Sequence, residues 1–217
     1  MSPVPNRRRT NVVPMLRSDT YLREVSGALN RLPCAVIDQV ADRLWSAYRE
    51  DRAVYLFGNG GSAALASHSA CDFGKGTVIN GHRRFRVLAL TDNVPLMTAW
   101  ANDARYEDIF AEQLRSFLNQ NDIAFAISGS GNSANVLNGL AVARELGAFT
   151  IGLTGFQGGR MKSICRLCVV VPSKNMQVIE DVHLSVMHSI FTCLRQRFLD
   201  LTQPGSLPAP RRQCSVQ

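Results

Sequence analysis

The sequence predicts an α/β domain built on a parallel sheet, and three observations predict it. Five short runs are almost wholly apolar: VYLFG (54–58), RFRVLAL (84–90), DIAFAIS (122–128), FTIGLTG (149–155) and LCVVVPS (167–173). Helix-like segments alternate with them. A chain of 217 residues, 46% hydrophobic, is long enough for one large core. Apolar runs without polar alternation suit strands buried on both faces, and the alternation with helices makes the sheet parallel, with right-handed crossovers. The expected architecture is a three-layer αβα sandwich on five strands, preceded by a helical extension.

Taken in order, residues 19–51 read as two helices split near Pro33. Tyr21, Val25, Leu29 and Leu32 recur at helical spacing, as do Val36, Val40, Leu44 and Tyr48. After the first strand come GNGGSA and a helix to about residue 73. The second strand leads to a helix over 106–118, and the third to SGSGNS and a helix over 134–147. A short helix near 158–165 joins the fourth and fifth strands, and a long helix over about 177–200 closes the fold. Residues 1–18 and 204–217 read as flexible tails around a domain at 19–203.

Composition excludes several classes. Gly and Pro contents are ordinary, which rules out collagen-like and low-complexity chains, and the apolar content is too high for disorder. No apolar run approaches the ~20 residues that span a bilayer, and the N-terminal stretch lacks a signal peptide's apolar region. The expectation is a cytoplasmic protein with no membrane partner. The net charge of +7 comes from the tails, since residues 19–203 hold 18 basic and 17 acidic residues. Nucleic acid is therefore not an expected partner. The six cysteines read as reduced thiols, and Cys165 and Cys168, a lone CxxC, as core residues rather than a metal pair.

In parallel sheets ligands bind beyond the carboxyl ends of the strands. SGSGNS at 128–133 lies there, between strand and helix. Glycine lets backbone approach an anion, the helix start supplies free N–H groups, and Ser128, Ser130 and Ser133 add hydroxyls. No lysine follows at P-loop spacing, so the turn suits a small phosphate ester. Asn59, Gly60, Gly61 and Ser62 form a second donor-rich junction at the same rim.

These segments, with LALTDNVPLMTAWANDARYEDIF and the closing QVIEDVHLSVMH, resemble the phosphoheptose isomerase family of sugar-isomerase (SIS) domain proteins over roughly residues 35–200. The resemblance implies a homotetramer with active sites between subunits and a seven-carbon ketose phosphate isomerised to an aldose phosphate for heptose biosynthesis. It assigns phosphate binding to Ser128, Ser130 and Ser133, with Ser62 facing the sugar phosphate and Asp103 near the substrate. Gly129 stands where the family often has Thr.

Ketose–aldose isomerisation moves a proton between neighbouring carbons through an enediol, so it needs a base at carbon and an acid at oxygen. His68 and Asp72, at i and i+4, share a helix face. The resemblance makes the carboxylate the catalytic base, as Asp where the family has Glu, and His188 the catalytic acid. Around the last helix Gln177 and His188 lie about 20° apart and Glu180 about 60° to one side, so the three can converge, whereas His183 lies about 120° away and reads as structural or as an interface contact. Where the family has Asp and then Gln as a zinc neighbour, this chain has Gln177 and Glu180. His68, Asp72, Glu180 and His188 make a set suited to zinc, and with two carboxylates to manganese or iron as well. Lys75 and Arg105 lie near strand ends as further phosphate candidates. Two alternatives stand beside this reading: an isomerase for another sugar phosphate, and a non-catalytic tetrameric adaptor for the replication initiator.

Overall fold

The computed structural model describes residues 17–202; both expected tails lie almost wholly outside them. Five parallel strands, β1 (Val54–Gly58), β2 (Val87–Ala89), β3 (Ile123–Ser128), β4 (Phe149–Thr154) and β5 (Leu167–Val170), form one sheet in the order β2-β1-β3-β4-β5. Eight helices flank it: α1 (Ser18–Leu29), α2 (Cys34–Arg49), α3 (Gly61–Gly76), α4 (Val94–Asp103), α5 (Ala111–Phe117), α6 (Ala134–Glu145), α7 (Met161–Ile164) and α8 (Met176–Asp200).

The strands alternate between two cores. Val54, Leu56, Ile123, Phe125 and Ile127 face α2, α3 and α8, while Tyr55, Phe57, Ala124 and Ala126 face α5 and α6. Both sets are buried. Apolar side chains on both faces are what made these strands read as continuous runs.

Three boundaries differ from expectation. The second strand keeps only residues 87–89, because β2 is an edge strand paired with β1 alone and its Leu88 is 46% exposed. The helix expected at 106–118 becomes a 3₁₀ turn at Tyr106–Asp108 followed by α5. The helix α4 was not anticipated; Asn93 caps it by accepting from the Leu96 N–H, and Pro95 lies in its first turn.

The five cysteines among the described residues are free thiols. Burial pushes Cys168 up to about 11 and Cys165 further, so both stay protonated beside Gly152. No helix among the described residues is long and apolar enough to cross a membrane.

Candidate active site

Strand order reverses between β1 and β3, which opens a crevice beyond their carboxyl ends. The loops after these strands meet across it. Asn59 Nδ2 donates to Asn135 Oδ1 at 2.8 Å, and Asn135 Nδ2 returns the bond at 2.8 Å. Tyr106 Oη also donates to Asn59 Oδ1. The Asn59 side chain is thus occupied in joining the two loops. Gly60, at φ +53°, turns the chain into α3. Gly61 and Ser62 begin that helix, and the Ser62 and Ala63 N–H groups donate to the Asn59 and Gly60 carbonyls.

The side chains of His68, Asp72 and His188 converge between α3 and α8. His68 Nε2 lies 2.9 Å from His188 Nε2, and Asp72 Oδ2 lies 3.4 Å from the first ring and 3.7 Å from the second. Each imidazole is about half exposed and Asp72 is 27% exposed, so all three are open to a ligand. Their spacing fits a tetrahedral cation: bonds of about 2.0–2.1 Å give ligand–ligand edges of roughly 3.3–3.4 Å. Among the described residues this is the group of three whose donor atoms lie within 4.8 Å of one another.

Glu180 is not in that group. It lies two turns before His188, about 12 Å along α8, with its carboxylate beside Gly61, where a Cβ on that glycine would stand 3.1 Å from Oε1. Helices α3 and α8 run side by side, with Glu180 against Gly61 and His188 against His68 and Asp72. Between them lies a cavity of about 350 Å³, lined by Gly61, Ser62, His68, Glu180, His183 and His188 among others. His183 is 1% exposed and so is no interface contact in this chain.

The serine turn is separate from this cavity. Ser128 and Ser133 hydroxyls lie 3.3 Å apart, and Ser130 Oγ accepts from the Asn132 N–H. Ser130 and Asn132 line a second cavity of about 420 Å³ with Phe156, Gln157, Gly159 and Lys174. None of residues 128–133 lines the first. Gln177 is exposed in the first turn of α8, about 16 Å along the axis from His188. Asp103 ends α4, exposed, and accepts from the Asn102 side chain. Arg105 is engaged by Asp108 at 2.7 Å, which raises the guanidinium and lowers the carboxyl. Lys75 lies in the last turn of α3, about 20 Å along the axis from Gly61.

Residues 20–155 match the SIS domain family. The chain is 34% identical over 178 residues to a probable phosphoheptose isomerase of Thermoplasma acidophilum, across 82% of this chain and 97% of that one. It is 42% identical over 137 residues to the phosphoheptose isomerase of Aliarcobacter butzleri, across 63% and 72%. The chain belongs to the phosphoheptose isomerase family of SIS-domain proteins. The fold agrees: the phosphoheptose isomerase of Neisseria gonorrhoeae superimposes with a TM-score of 0.77 at 27% identity, covering 83% of this chain and 97% of that one.

At Gly129 a Cβ would lie 2.5 Å from Met176 Sδ. The space that a Thr side chain would need is filled by a thioether from the start of α8. Sequence reasoning did not find Met176, because its contact with the turn depends on how α8 packs.

Proposed function

We propose that the protein is a sugar-phosphate aldose–ketose isomerase acting on sedoheptulose 7-phosphate to give D-glycero-D-manno-heptose 7-phosphate. The observation that carries this is the convergence of Asp72 on His68 and His188, the two histidines that line one end of a cavity whose other end is the helix start at Gly61 and Ser62. The carboxylate of Asp72 takes the proton from C1 of the ketose and returns it to C2. His188 gives a proton to O2 and recovers one from O1, so the sugar passes through a neutral enediol. The Ser62 hydroxyl and the positive end of the α3 dipole hold the phosphate end, with the serine turn at the same rim.

The spacing of Ser62 and His68 along α3 is on the scale of a hexose or heptose phosphate. Ser62 and His68 are six residues apart, roughly 9 Å along the helix. An extended chain from C1 to the phosphate of a heptose spans roughly 10 Å at about 1.25 Å per bond. A pentose phosphate is shorter by about 2.5 Å on the same count.

His68, Asp72 and His188 would hold zinc, which supplies Lewis-acid polarisation to neighbouring sugar oxygens. The Nε2 atom of His188 serves either as metal ligand or as proton carrier at any instant, so activity after chelation distinguishes the two roles. We further propose a homotetramer. Helix α4 has no buried residue, and Val94, Leu88 and Tyr106 are more than 45% exposed, an apolar face suited to a second copy that would bring Asp103 to a neighbour's site.

The test is incubation of the full chain with sedoheptulose 7-phosphate and a panel of shorter ketose phosphates, with and without chelator, followed by NMR of the products. Conversion of the heptulose in preference to pentuloses is expected; turnover of none of them would refute the reading.

A further inference from the structure

His183 is the most deeply buried polar side chain of the cavity wall, and the mechanism does not use it. It is 1% exposed, and neither ring nitrogen makes a well-formed hydrogen bond, its one polar approach being a loose one to the Thr154 backbone. Burial pushes its imidazole down to about 4, with the Thr154 backbone acting in the opposite sense, so the ring is neutral at ordinary pH. A buried polar group left without a partner costs about 1–3 kcal/mol, and native proteins keep few of them. A leucine would fill the same place without that cost, so packing alone does not account for an imidazole here.

The surroundings suggest what it is for. Thr154, wholly buried, donates from Oγ1 to the Gly129 carbonyl at 3.3 Å, and the Gly155 N–H donates to the same carbonyl at 2.9 Å. Thr154 Oγ1 would also stand 2.8 Å from a Cβ on Gly131. Thr154 therefore backs the serine turn on one side and faces His183 on the other. His183 in turn lines the cavity of Ser62, Glu180 and His188. The two halves of the site, which share no cavity, are connected through this pair.

We infer that His183 is a positioning residue, on the reading of the site given above: its ring nitrogens take up hydrogen bonds when a phosphate ligand is bound, fixing the serine turn against the Ser62–Glu180 end of the cavity. The phosphate and the reacting carbons are then held at a set separation, and an error of about 1 Å in that separation costs about 100-fold in rate.

The test compares the full chain with His183→Leu and His183→Gln, measuring thermal stability, kcat and KM for sedoheptulose 7-phosphate, and the imidazole NMR signals on titration with inorganic phosphate. His183→Leu is expected to be at least as stable as the parent, with kcat reduced 10- to 100-fold and KM changed less than threefold, and His183→Gln to recover part of kcat. The His183 ring signal is expected to shift on phosphate binding. Parental kcat in His183→Leu, or a ring signal unmoved by saturating phosphate, would overturn the inference. If the leucine variant does not fold, the glutamine variant and the ring signal decide. If the parent isomerises no ketose phosphate, the isomerase reading fails by itself, while the phosphate titration still decides the role of His183.

Discussion

The serine turn and the α3–α8 cleft sit at the same end of the sheet but are built in opposite ways. The turn is closed on itself: the Gly129 carbonyl accepts from Gly155 and Thr154, the Gly131 carbonyl from the Met161 N–H, and Asn132 Oδ1 from the Arg160 N–H. The cleft leaves two half-exposed imidazoles and a carboxylate facing one another. A rigid backbone cradle suits the binding of a group that does not react. Open, mutually facing side chains suit proton movement, because they gain their partners from the ligand. The division separates holding from chemistry, and substitutions on the two sides should fail differently.

The largest effect is expected in the cleft. Asp72→Asn and His188→Gln should each lower kcat by about 10²–10⁴-fold and leave the thermal midpoint within a few degrees, as read by steady-state kinetics and calorimetry. In the turn the order reverses. Gly131 holds φ at +65°, and a Cβ there would stand 2.3 Å from the Gly158 carbonyl oxygen. Gly131→Ala should lose about 1–3 kcal/mol in urea unfolding and raise KM more than it lowers kcat.

A finer test uses the pair that fills the space over the turn. Gly129→Ala should weaken binding of the phosphate ester, since its Cβ would meet Met176 Sδ at 2.5 Å. Adding Met176→Ala should restore most of that loss in a double-mutant cycle, because the obstruction is the flexible end of a side chain. A further effect concerns pH. His183 titrates near 4 when folded, against 6.5 in the unfolded chain. The unfolded state therefore binds more protons across that window, and the stability held above 6.5 is lost as pH falls towards 4. His183→Leu should flatten this part of the stability profile in chemical denaturation.

How much of this was legible depends on the reach of each contact. Strands β1, β3 and β4 were legible because all their residues but Phe149 are buried, on either face, leaving no charged interruption to misread. Strand β2 was overextended because the expected run took in Arg84, Phe85 and Arg86, whereas the paired strand covers only Val87–Ala89. Helix α4 escaped notice because its face buries nothing, although Asn93 and Pro95 mark its start. At the site, the i,i+4 spacing placed His68 against Asp72, and the periodicity of α8 put His188 on a usable face. Rotation about a helix says nothing of distance along it, so Glu180 and Gln177, correct in angle, lie about 12 and 16 Å from His188 along the axis. Tertiary approaches such as Met176 over Gly129, or Asn59 clasping Asn135, leave no trace in local spacing.

The most direct measurement is isomerisation of sedoheptulose 7-phosphate in D₂O, reading deuterium in the aldose product by NMR. Asp72 is partly exposed, so a proton carried on its carboxylate exchanges with solvent, and the expected result is deuterium at C2 that disappears together with turnover in Asp72→Asn. Product formed without deuterium, or formed at an undiminished rate by Asp72→Asn, would contradict the account.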